Sequence, residues 1–256
     1  MKYNLKIGWL YPELMNIYGD RGNMIVLKQR CLWRGIDVQI INLDLGFYEA
    51  KLEECDILIM GGAQDKQQET VALDLFKKAK ALKRIINKGV PGLYICGAYQ
   101  FLGHYYKDAY GTKIPGLGVF DMYTESSKTK PRLIGNIVIQ PSPSLTINYQ
   151  LLAIPLFVGF ENHGGHTFLA DPKQAFAKVI TGYGNNGTDK TEGIHYKTSI
   201  GTYLHGPILP SNPELAVYLL QTAYQKKYGE ELSIEFDDEL STKAKVMMLK
   251  RLKTSY

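Results

Sequence analysis

Hydrophobic positions along the chain change their spacing several times, and each change marks an element. Residues 5–10 form a short apolar run that predicts a strand. A helical pattern then runs from about Asn23 to Arg34, with Asp20 placed to cap its start and Gly35 suited to the left-handed position that closes it. Residues 38–43 predict a second strand. Ile57-Leu58-Ile59-Met60 is apolar without interruption, as expected of a strand covered on both faces. Phe76, Ala79, Leu82, Ile85 and Ile86 recur at three- and four-residue intervals, predicting one long helix that Gly89 ends. Gly92-Leu93-Tyr94-Ile95 is the next buried strand. Strands alternating with helices in this way predict an α/β fold: a doubly wound, mostly parallel sheet with helices on both faces.

The second half is richer in strands. Residues 132–140 alternate, residues 156–160 and 175–180 read as further strands, and residues 193–204 as a hairpin. The three prolines of the stretch Pro141–Pro155 and its lack of a period predict a loop there. Residues 212–228 form an amphipathic helix with Leu215, Leu219, Leu220 and Ala223 on one face, stopped by Gly229. A last helix over 237–253 carries Leu240, Ala244, Met247, Met248 and Leu252, a stripe suited to packing on the domain or on a partner. With no repeat and no evident linker, residues 1–230 read as one domain and 231–256 as a helical extension.

Composition narrows the picture only slightly. Hydrophobic residues make up 45% and charged residues 21% of the 256, which excludes a disordered or fibrous chain. The net charge of +5 is spread out. Its densest group, Lys77, Lys78, Lys80, Lys83 and Arg84, reads as a solvated helix face, so no nucleic-acid partner is expected. Three cysteines, no signal-peptide core and no apolar run near the roughly 20 residues that span a bilayer predict a cytoplasmic chain.

The chemistry concentrates in Leu93-Tyr94-Ile95-Cys96-Gly97-Ala98-Tyr99-Gln100. A buried strand ends at a cysteine and a helix begins at once with small residues. That geometry lifts the side chain at the turn into the crevice at the carboxyl ends of the strands, as in a nucleophile elbow. The helix start favours a thiolate, and the Gly97 N–H suits a developing oxyanion. Cys31, inside a helix, and Cys55, before a strand, read as packing residues. A thiolate needs a base. His104 lies in the helix after Cys96 and points away from its start, and His195 sits in mid-strand. His163 and His166 fall in a loop, Gly159-Phe160-Glu161-Asn162-His163-Gly164-Gly165-His166, suited to lining a pocket. His205 ends an apolar strand, where it reaches the same crevice, and is the best-placed base.

Residues 95–103 together with Tyr203-Leu204-His205-Gly206 resemble the class I glutamine amidotransferases, in their cobyric-acid-synthase-like branch. The resemblance implies glutamine hydrolysis through a thioester on Cys96 with His205 as base. Most of the class carries a glutamate two residues after the histidine. Pro207 stands there, as is common in this branch, which implies a Cys–His dyad with a backbone carbonyl or Glu161 as candidates for orienting His205. Ala98 replaces the second glycine usual in the elbow.

Four further motifs narrow the resemblance. Tyr18-Gly19-Asp20-Arg21-Gly22-Asn23, Gly61-Gly62-Ala63-Gln64-Asp65, residues 159–163 and residues 182–187 are similar to the glutaminase subunits of lipid II isoglutaminyl synthases. That resemblance implies an ATP-dependent, Mur-ligase-like partner that uses the ammonia to amidate D-glutamate in the lipid II stem peptide, near the inner face of the membrane. It also implies Arg132 on the substrate glutamine, where a guanidinium fork suits an α-carboxylate. Gly62 is expected to join Gly97 in the oxyanion hole, and Gln64, Glu161 and His163 to line the pocket. A cobyrinate-type acceptor, a non-catalytic scaffold and a stand-alone cysteine hydrolase are the competing readings.

Two patterns are set aside. Gly182-Tyr183-Gly184-Asn185-Asn186-Gly187 fits the spacing of a dinucleotide loop, but a strand rather than a helix follows it, so it reads as a hairpin turn. His163-Gly164-Gly165-His166 lacks the further ligands of a zinc site. Neither a metal nor a cofactor is expected.

Overall fold

The computed structural model describes residues 2–63, 65–143, 145, 155–232 and 238–253. The first half builds strand β1 (Tyr3–Leu10), helix α1 (Arg21–Trp33), β2 (Ile36–Leu43), β3 (Ile57–Met60), helices α2 (Asp65–Lys77) and α3 (Ala79–Asn87), β4 (Gly92–Ile95) and the short helix α4 (Gly97–Leu102). Strands β3 and β4 are buried along their whole length, as their unbroken apolar runs require. They lie at the centre of a six-stranded sheet completed by β13 (Ile194–Tyr196) and β14 (Ser199–Thr202), in the order β13-β14-β4-β3-β1-β2. Every pair from β14 to β2 is parallel, and only the edge strand β13 runs antiparallel. The expected doubly wound α/β fold is present.

The intervening chain adds two four-stranded sheets. One has the order β10-β7-β5-β6, from β5 (Tyr105–Lys107), β6 (Lys113–Pro115), β7 (Met122–Ser126) and β10 (Gly165–Leu169). The other has the order β12-β11-β8-β9, from β8 (Leu133–Pro141), β9 (Phe157–His163), β11 (Ala177–Thr181) and β12 (Thr191–Glu192). Helices α5 (Ile208–Ser211) and α6 (Pro213–Tyr228) follow β14, and Gly229 closes α6 at φ 72°. Most of the loop expected between Pro141 and Pro155 lies outside the described residues.

Several expectations are corrected. The single long helix is two, broken at Lys78, whose ammonium is buried on the Asp74 carboxylate at 2.6 Å rather than solvated. Helix α4 stops at Leu102, so His104 lies beyond it, exposed and bonded to Asp121 at 2.8 Å. His163 and His166 belong to strands β9 and β10, not to a loop. In the last helix, α7 (Glu239–Arg251), the buried face is Lys245 and Leu249, while Leu240 and Met247 are 82% and 71% exposed. The inward phase is set by Lys245, whose ammonium meets both Glu214 oxygens at 2.8 Å, and by Leu249 in a small cluster with Val138, Leu156 and Val158.

Candidate active site

Four neighbouring strands deliver the site from their carboxyl ends. Cys96 follows β4, Gly61 and Gly62 follow β3, His205 lies three residues past β14, and Asp20 sits in the connection from β1 to α1. This edge is where doubly wound sheets place their ligands. Cys96 has φ 54° and ψ −108°, a backbone strain that the elbow stores and that aims Sγ away from the strand. The side chains of Cys96 and His205 converge on Gly62. A Cβ at position 62 would lie 3.0 Å from His205 Cε1 and 3.1 Å from Cys96 Cβ, so only glycine leaves room between them.

His205 is held on three sides. Its backbone exchanges two hydrogen bonds with Phe160 of β9, at 2.7 and 3.2 Å. The Tyr18 ring packs edge-on against the imidazole at 4.9 Å. Nδ1 meets Asp20 Oδ1 at 3.3 Å, with both side chains buried. Burial alone would lower the imidazole pKa, but the bonds and charges of Asp20 and Cys96 outweigh it and raise the value to about 10. The positive form of the imidazole is thus favoured between the Asp20 carboxylate and Cys96.

Asp20 is the residue that sequence reasoning missed. It was expected to cap α1, yet its side chain makes no capping bond. Oδ1 faces His205, and Oδ2 accepts the Gly62 N–H at 2.8 Å. Neither Glu161 nor a backbone carbonyl orients the imidazole. The signal was present in Tyr18-Gly19-Asp20-Arg21-Gly22-Asn23, an acidic residue at the carboxyl edge of a parallel strand. The same motif packs Gly22 on Pro207, and Asn23 Oδ1 accepts the Leu209 N–H at 2.9 Å, which seats Asp20 beside the turn after His205.

The second correction concerns the oxyanion hole. Because the Gly62 N–H is donated to Asp20, it does not point to free space. The next amide, Ala63, lines the cavity and its N–H has no partner among the described residues.

A cavity of about 740 Å³ opens beside Cys96, well within the range of roughly 300–1,000 Å³ typical of small-molecule sites. Tyr18, Gln100, Arg132, Asn162 and His163 are among its walls. Arg132 lies on the rim, its guanidinium bonded to Asn162. Gln100, four residues past the cysteine, gives its amide nitrogen to Tyr203 Oη at 3.1 Å. His163 stacks flat on Tyr203 at 3.5 Å and binds the Gly165 carbonyl through Nδ1 at 2.7 Å, and burial lowers its pKa, so it forms a neutral part of the wall. Glu161 is not in the cavity: its buried carboxylate accepts the Tyr183 and Gly184 N–H groups at 2.7 and 2.8 Å and pins the 182–187 turn to β9. Gln64 lies outside the described residues. Among the described residues, no cluster of three or more His, Cys, Asp or Glu side chains is arranged to hold a metal.

A thiol elbow facing a carboxylate-backed histidine, on this sheet, is the layout of a class I glutamine amidotransferase. Residues 6–213 match the CobB/CobQ-like glutamine amidotransferase domain, and the chain belongs to that family. Over 249 residues it is 43% identical to the lipid II isoglutaminyl synthase (glutamine-hydrolyzing) subunit GatD of Staphylococcus aureus, spanning 97% of this chain and 96% of that protein. The subunit of the same name from Streptococcus pneumoniae is 40% identical over 242 residues, spanning 93% of this chain and 88% of that one. A solved glutamine amidotransferase shares the fold with a TM-score of 0.56 at 14% identity, covering 85% of this chain and 98% of that structure.

Proposed function

We propose that this chain is the glutaminase subunit of a lipid II isoglutaminyl synthase. It hydrolyses L-glutamine and passes the ammonia to an ATP-dependent, Mur-ligase-like partner, which amidates the D-glutamate α-carboxylate of the lipid II stem peptide. The observation that carries the reading is the convergence of the strained Cys96 elbow with the Asp20–His205 pair. The likeness to the two GatD subunits over nearly the whole chain supports this choice of acceptor. Among the described residues no helix is long and apolar enough to cross a membrane. A lipid-borne acceptor would place the reaction beside the inner membrane face.

In this mechanism Arg132 receives the α-carboxylate of glutamine and the side-chain amide is presented to Cys96. The thiolate attacks the amide carbon, and the oxyanion is held by the N–H groups of Gly97 and Ala63. His205 gives its proton to the departing nitrogen, the C–N bond breaks, and ammonia leaves a γ-glutamyl thioester. Neutral His205 then takes a proton from water, whose oxygen attacks the thioester. Glutamate departs and the thiolate is restored beside the imidazolium. Asp20 keeps the imidazole oriented and its positive form stabilised throughout.

The test separates the two halves of the reaction. Cys96→Ala is expected to lose at least about 10³-fold of its glutaminase activity. Mixed with the synthetase, ATP and lipid II, the variant is expected to support amidation from ammonium salt but not from glutamine, read by mass spectrometry. Glutaminase near the wild-type level would remove the nucleophile, and failure with ammonium salt would remove the proposed partner.

A further inference from the structure

We propose that Asn162 is a positioning residue that sets glutamine specificity, by locking the Arg132 guanidinium for the substrate α-carboxylate. The inference rests on the assignment of Arg132 above and explains how an exposed arginine acquires a defined geometry.

A guanidinium has two edges that can each grip a planar acceptor, the side edge of Nε and Nη2 and the end edge of Nη1 and Nη2. In this structure Asn162 occupies the side edge. Its Oδ1 accepts from Nε at 3.2 Å and from Nη2 at 2.8 Å, and its backbone carbonyl accepts from Nη2 at 3.2 Å. Nη1 makes no bond among the described residues and lies 3.5 Å from where a Cβ on Gly164 would stand, along the cavity wall. The end edge is thus the one left for a carboxylate. The register of β8 on β9 makes the contact possible, because Ile134 faces Asn162 across the ladder and brings Arg132, just before β8, beside it.

The other half of the amide is equally specified. Nδ2 donates to Tyr18 Oη at 2.8 Å, and the Tyr18 ring is the one that packs on His205. Since arginine has no acceptor, the amide oxygen must face Arg132 and the nitrogen must face Tyr18. Aspartate would accept from both Arg132 and the Tyr18 hydroxyl, but would neutralise the guanidinium meant for the substrate carboxylate. Tyr18 itself holds φ 52°, an unfavourable conformation for a bulky residue that the β1–α1 connection maintains. The Tyr18 bond therefore fixes which end of the Asn162 amide faces Arg132.

The experiment is steady-state glutaminase kinetics on the full chain with Asn162→Ala, Arg132→Ala and the double variant, on glutamine and on γ-aminobutyramide, which has no α-carboxylate. Asn162→Ala is expected to raise KM for glutamine about 10- to 100-fold, far more than it lowers kcat, and to leave kcat/KM for γ-aminobutyramide within a factor of about three. The double variant is expected to match Arg132→Ala. An unchanged KM in Asn162→Ala, a loss that multiplies fully with that of Arg132→Ala, or an equal loss on both substrates would overturn the proposal. If Arg132→Ala itself leaves KM unchanged, the carboxylate assignment falls first. Asn162→Ser, which keeps a small polar group on the strand, serves if the alanine variant folds poorly.

Discussion

The central parallel strands and the sheets inserted between α4 and β13 solve different problems. Strands β3 and β4 are short, wholly buried and held by backbone ladders on both sides, so the positions at their ends are set by main-chain geometry. Cys96, Gly97 and Gly62 act there as points on a frame. Strands β8 and β9 are only partly buried, and what they and their flanks contribute to the site are side chains, Arg132, Asn162 and His163, placed by cross-strand register. The frame defines where bonds are made and broken, and the inserted sheets define what is admitted.

Breaking the frame where it meets its charges should have the largest effect short of removing the thiol. Asp20→Asn keeps the shape but removes the charge that raises the imidazole pKa, and kcat is expected to fall about 10²- to 10⁴-fold, as for a triad carboxylate amidated elsewhere. With a folded-state value of about 10 against about 6.5 unfolded, the stability that His205 contributes is complete below about pH 6.5 and is lost as pH climbs through about 10. The variant should therefore show an alkaline activity limb at lower pH than wild type, together with reduced stability at neutral pH. An alkaline limb unmoved by Asp20→Asn would remove the carboxylate from its proposed role.

A smaller effect probes the join between the regions. Glu192 is buried on β12, with Oε1 accepting from Thr202 Oγ1 at 2.6 Å and from the Tyr203 N–H at 2.8 Å, just ahead of His205. Burial pushes its pKa up to about 8 against the pull of those bonds, so the folded chain holds it neutral at pH 7. A raised carboxyl favours folding most below the unfolded value near 4.3, and that advantage drains away as pH rises towards about 8. Glu192→Gln keeps the acceptor oxygen and cannot ionise. Its melting temperature should gain on wild type between pH 5 and pH 8, and a constant difference across that range would show that Glu192 does not titrate there.

The smallest change belongs to the periphery. Lys245→Ala leaves Glu214 without its partner and should cost about 1–3 kcal/mol of stability, with Lys245→Met costing less because it refills the space beside Phe157. Glutaminase per folded molecule should stay level in both, measured after thermal denaturation has set the folded fraction. A fall in activity with intact folding would tie α7 to the site.

What could be read in the sequence follows the same division. Unbroken apolar runs betray buried parallel strands, and a cysteine between such a run and small residues betrays the elbow, because both are local patterns. Asp20 was not legible as the partner of His205, since 185 positions separate them and a cap is a sufficient local account of an aspartate before a helix. Glu161 fails for the opposite reason: its motif neighbours point to a pocket, while its burial beneath the 182–187 turn depends on a fold the pattern does not contain. Lys78 and Lys245 defeat the rule that lysines face water because each finds a carboxylate under an apolar ring or strand.

The paired backbone bonds between Phe160 and His205 rivet the inserted lobe to the base, whereas the sulfur hangs from the main sheet. A push on β9 shifts one relative to the other without touching either side chain. The seating of the inserted lobe therefore enters the separation between imidazole and sulfur, although His205 itself follows a strand of the main sheet.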